Sequence, residues 1–90
     1  MAVYQGIVAP DKTIVRRQGQ FTVVSKTGNT LVVRFPGDNV AKAFVLATPW
    51  QNNGDIGPTG IAASPDPRNR EYMIFAVDSY YGVSFRVQTA

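Results

Sequence analysis

Alternation of apolar and polar positions is clearest from Glu71 to Gln88. Tyr72, Ile74 and Ala76 share one face of a first run, and Met73, Phe75 and Val77 share the other. After Asp78-Ser79-Tyr80-Tyr81-Gly82, the residues Val83, Phe85 and Val87 alternate with Ser84, Arg86 and Gln88. Because strand side chains point to opposite faces with period two, the pattern predicts a β-hairpin whose first strand is buried on both faces and whose second is buried on one. The first is expected to be central in a sheet and the second outer. A lone hairpin is only marginally stable, so both strands need an apolar surface from elsewhere in the chain or from another copy.

Earlier segments carry the same period. Met1 to Ala9 and Thr13-Ile14-Val15, split by Pro10-Asp11-Lys12, suit two short strands or strand-like arms, with Gly6 as a bulge. Phe21 and Val23 share a face of Gln20 to Ser25, and Leu31, Val33 and Phe35 oppose Val32 and Arg34. Between these runs lies Lys26-Thr27-Gly28-Asn29, the clearest short hairpin signal in the chain. Pro36-Gly37-Asp38-Asn39 breaks the pattern. Over Val40 to Thr48 a helix capped by Asn39 competes with a buried strand; Pro49 leaves too few residues for a good helix, and the strand is preferred from Ala43 onward. Residues 51–70 contain proline, glycine and asparagine without a repeat, and form a long loop with a short strand near Gly60 to Ala63. The expected fold is all-β, a small antiparallel β-sandwich or barrel of about six to seven strands in a single domain spanning residues 1–90. Residues 1–17 are the least accounted for and are expected to be a docking arm.

Two of these segments carry a resemblance. Leu31-Val32-Val33-Arg34-Phe35-Pro36 leading into Ala43-Phe44-Val45-Leu46-Ala47-Thr48-Pro49-Trp50, and Tyr72 to Val77 followed by Tyr81-Gly82-Val83-Ser84-Phe85-Arg86-Val87, resemble the H-type lectin fold and the related knob domains of bacteriophage fibres. The resemblance covers roughly two thirds of the chain. It implies trimers formed through sheet faces, and sugars or cell surfaces met at loop tips.

Composition narrows the chemistry. At 44% hydrophobic and 17% charged residues the chain is too apolar and too lightly charged to be disordered. Cysteine and histidine are both absent, which removes disulfides, thiol nucleophiles, thiolate metal sites and the commonest general base. Ser25, Ser64, Ser79 and Ser84 therefore lack a histidine to activate them, and Asp38, Asp55 and Asp66 lack calcium-loop spacing. No enzyme activity, metal or cofactor is expected. The net charge of +3 is scattered apart from Arg16-Arg17 and the nearby pair Arg68 and Arg70, so nucleic acid is disfavoured as a partner. A signal peptide and an apolar run of membrane-spanning length are both lacking, so no membrane insertion is expected.

The candidate ligand residues are Trp50 with Asn52, Asn53 and Asp55, the pair Tyr80 and Tyr81, and Arg68 and Arg70. An aromatic face beside amides and a carboxylate suits a sugar, whose ring presents an apolar C–H face and a polar rim. Each has a structural alternative: Trp50 plugging the end of a sandwich, one tyrosine packing beneath its turn, and the arginines pairing with Asp66 and Glu71. Taken with the resemblance to bacteriophage fibre knobs, the first reading is a non-enzymatic virion component, a fibre knob or capsid-decorating protein made in a host cytoplasm. Its partners would be further copies of itself, as a trimer, other virion proteins and a host-surface glycan. A free soluble lectin, cytoplasmic or secreted without a signal peptide, is the second reading, and a small nucleic-acid-binding barrel the third.

Overall fold

A computed structural model describes residues 1–51 and 61–89. Its eight strands are β1 (Val3–Val8), β2 (Ile14–Gln18), β3 (Thr22–Thr27), β4 (Thr30–Arg34), β5 (Phe44–Trp50), β6 (Ala63–Asp66), β7 (Asn69–Ala76) and β8 (Gly82–Gln88). They form two antiparallel four-stranded sheets, sheet A in the order β2-β1-β8-β5 and sheet B in the order β3-β4-β7-β6. The all-β expectation holds, with slightly more strands than predicted and no helix among the described residues.

Alternation decides what each strand gives the interior. Sheet A contributes Tyr4, Val8, Val83, Phe85 and Val87, and sheet B contributes Leu31, Val33, Met73 and Phe75, all buried. Phe85 is the hub: its ring centroid lies 5.3 Å from Phe75, 5.1 Å from Phe21 and 6.0 Å from Phe35. Offset and edge-on pairs of this kind each contribute about 0.5–1.5 kcal/mol beyond the area they bury. Gly6 makes room for the cluster, since a Cβ there would stand 2.5 Å from the Phe21 ring. It is not itself a bulge; the shift in register falls between Ile7 and Val8.

Residues 71–88 are not a hairpin. β7 pairs with β4 and β6, whereas β8 pairs with β1 and β5, so the two strands lie in different sheets. The link through Asp78 crosses from one sheet to the other, and the apolar faces of the strands meet through Phe75 and Phe85 rather than lying side by side. β8 is consequently central in its sheet, not outer. A genuine tight hairpin is β3–β4, where Thr27 opposes Thr30 across Gly28-Asn29, and Gly28 takes the positive φ of 55° that the first position of a primed turn requires.

Residues 1–17 likewise do not hang from the sandwich. β1 lies between β2 and β8, and its Tyr4 and Val8 are core residues. The stretch that had a helix as rival makes a single turn, with Ala41 N–H donating to Asn39 Oδ1 and Ala43 N–H to the Val40 carbonyl, before β5 begins. Val40 is fully buried and closes that end of the core.

Candidate functional site

Strand registers give the sandwich two ends. Trp50 at the end of β5 opposes Gly82 at the start of β8, and Tyr80 and Tyr81 immediately precede Gly82. Trp50 and the tyrosine pair are therefore neighbours at one end. Within the turn, Tyr80 N–H donates to Asp78 Oδ1 and Tyr81 N–H to the Asp78 carbonyl. This geometry sends the side chains apart: Tyr81 packs against the core, while Tyr80 is 81% exposed. Trp50 is half-buried and, by the alternation of Phe44, Leu46 and Thr48, lies on the outer side of sheet A. Asn52, Asn53 and Asp55 follow from this end but lie outside the described residues.

Arg68 and Arg70 sit at the opposite end. Arg68 is in the β6–β7 turn, its N–H bonded to Asp66 Oδ1, and the Arg70 carbonyl accepts from Val40 N–H. They cannot join Trp50 and Tyr80 in one site. The open groove of about 400 Å³ beside Arg70 is lined by Gly37, Asp38, Asn39, Asn69 and Glu71.

The carboxylates of that groove already have partners. Glu71 accepts from Arg34 Nε at 2.9 Å and from Gly37 N–H at 2.8 Å, and the Gly37 bond, followed by Arg34, holds its carboxyl below the usual range. Asp38 accepts from the hydroxyl of Tyr4. Elsewhere Asp11 is held below the usual range by Thr13, first through its side-chain hydroxyl and then through its N–H, while Asp66 and Asp78 cap their own turns. Every described carboxylate is thus a turn cap, a hydroxyl acceptor or half of an ion pair. An ionised, doubly hydrogen-bonded Glu71 is a poor proton donor, and no group of three or more potential metal ligands occurs among the described residues.

A further surface escaped sequence reasoning. The outer face of sheet A carries Gln5 and Ile7 of β1, Arg16 and Gln18 of β2, Ser84 and Arg86 of β8, and Phe44 and Leu46 of β5. Phe44 and Leu46 are 64% and 58% exposed. The polar face of β8 is visible in its alternation, but nothing in the sequence says that β1 and β5 flank it. Searches against protein-family models, curated proteins and solved structures each return no match for this chain.

Proposed function

We propose that this protein is a non-enzymatic structural and adhesion module of a virion, a fibre knob or capsid-decorating protein, that assembles with copies of itself and meets a surface glycan at one end. The observation that carries the reading is the meeting of Trp50 with the Tyr80–Tyr81 turn at one end of a rigid sandwich. Tyrosine and tryptophan offer large amphipathic contact area at low entropic cost, and loops at the end of a β scaffold vary without disturbing the core. Self-association is supported by Phe44 and Leu46, which protrude from the outer rim of sheet A. The engagement of every described carboxylate in a structural bond favours a binding role over hydrolytic chemistry.

A glycan array probed with the wild-type protein, Trp50→Ala and Tyr80→Ala tests the proposal. Specific binding that both substitutions reduce supports recognition at this end. Binding that survives both puts the site elsewhere, and no binding to any glycan leaves the particle-building role alone. The free lectin reading differs in needing no particle, and is favoured if the isolated protein agglutinates cells but does not attach to virions.

A further inference from the structure

The outer face of sheet A holds a second candidate site that does not depend on the loop end. Outward residues of β2, β1 and β8 align in two rows, Gln18–Gln5–Arg86 and Arg16–Ile7–Ser84. A groove of about 340 Å³ is lined by residues of both rows, among them Gln5, Arg16, Gln18 and Ser84. A shallower one of about 210 Å³ shares Gln5 and Ser84 with it and reaches past Arg86 to Leu46 and Thr48. Two strands and one row separate Arg16 from Arg86, a span of roughly 12 Å at ordinary sheet spacings.

Among the described residues, charge on this face is one-sided. The described carboxylates lie in the β1–β2 turn (Asp11), the β7–β8 link (Asp78), the β6–β7 turn (Asp66) and around the turn after β4 (Asp38 and Glu71), so none opposes Arg16 or Arg86. The ion pair found among the described residues, Arg34–Glu71, belongs to sheet B. Between the two cations stand short amides and a hydroxyl, with Ile7 the apolar member of the rows.

We infer that these two adjoining grooves together bind an acidic oligosaccharide, a chain of uronate-type sugars. Arg16 and Arg86 take carboxylates on separate rings as charge-assisted hydrogen bonds. Gln5, Gln18 and Ser84 exchange hydrogen bonds with ring hydroxyls, and Ile7 receives a C–H face. A nucleic acid fits less well, because the rows contain no aromatic ring on which bases could stack, and three arginines, of which Arg17 is already bonded to the Phe21 carbonyl, neutralise few phosphates.

Titration of the ¹⁵N-labelled protein with tetragalacturonate at low salt tests the inference. Amide shifts are expected to cluster on Gln5, Arg16, Ser84 and Arg86, and neutral maltotetraose should produce none. The double variant Arg16→Gln/Arg86→Gln, altered only at exposed positions, should melt like wild type and weaken binding about tenfold or more. Trp50→Ala should bind as wild type does, which separates this groove from the loop-end site. The inference is overturned by an absence of shifts with tetragalacturonate, by unchanged affinity in the double variant, by loss of binding in Trp50→Ala, or by equal affinity for octathymidylate at the same residues.

Discussion

The smallest side chains set some of the tightest constraints in this protein. A Cβ on Gly82 would overlap the carbonyl oxygen of Val8 and stand 3.0 Å from the Ala9 Cα. Those obstacles are backbone and cannot turn aside, so Gly82→Ala must pry β8 from the end of β1. It should cost about 1–3 kcal/mol or more, read as a lowered denaturant midpoint with little change in slope. Phe75→Ala, which leaves a void beside Phe85, should cost about 3–5 kcal/mol and come close to unfolding a domain this small. Glu71 brings pH dependence. Its folded pKa lies below the ordinary value of 4.5 because Gly37 N–H and Arg34 favour the carboxylate. The stabilisation is therefore complete above that value and is lost as pH falls through it toward the lowered folded pKa. Asp11, held down by Thr13, acts in the same direction. Melting temperature should drop on acidification below about pH 4.5, and less steeply in Glu71→Gln. An equal slope in that variant would show that the Gly37 and Arg34 bonds do not matter to the acid limb.

Among the strands, each of the four edges carries a device that blunts pairing with another chain. β2 and β3 have register shifts that leave Val15 and Val24 as extra residues, and these are among the exposed hydrophobics. β6 contains Pro65, and β5 contains Pro49 and has its Ala47 carbonyl taken by Ile61 N–H. Because the carbonyl of Ala47 points away from β8, so does the nitrogen of Pro49 two residues on, where no donor is missed. β1, in contrast, is central, and removal of residues 1–8 should unfold the protein rather than trim an arm; a retained β-sheet circular dichroism spectrum with a cooperative melt would refute this. Strand positions were legible in the sequence because burial of one face imposes period two directly, as in Val83 to Gln88. Partners were not, since the same alternation serves a hairpin and a pair of strands facing each other across a core. That ambiguity made Glu71 to Gln88 look like one hairpin and hid the central role of Met1 to Ala9. At the candidate site, the aromatic residues announced themselves by type, but Arg68 and Arg70, read as part of the long loop 51–70, belong to the β6–β7 turn and the start of β7 and so lie at the far end. The Gln5–Arg86 surface, built where β1 and β2 meet the sequence-distant β8, left no local signature.

Guarded edges change how the whole molecule is expected to associate. Backbone pairing between sheets is disfavoured on all four sides, so side-chain contacts on a sheet face are the expected route to an oligomer. Phe44 and Leu46 are adjacent outward positions on β5, opposite Gln88 and Arg86. Leaving two such residues in water forgoes about 1.5–3 kcal/mol for each that a contact would bury. A ninety-residue chain also buries a smaller share of its surface than a larger one, so a shared interface adds apolar burial that a lone copy lacks. Closed point-group symmetry is the usual outcome of such association, and the trimer expected from the sequence would join each copy's β5 rim to a different patch on the next. Multi-angle light scattering should give a mass near three times 9.8 kDa for the wild type. The variant Phe44→Lys/Leu46→Lys, which alters only exposed positions, should run as a folded monomer with an unchanged circular dichroism spectrum. A wild-type mass of one chain at working concentration would refute self-association outright. An oligomer that persists in the double lysine variant would move the contact away from β5, toward the outer face of sheet B around Val32 and Ile74.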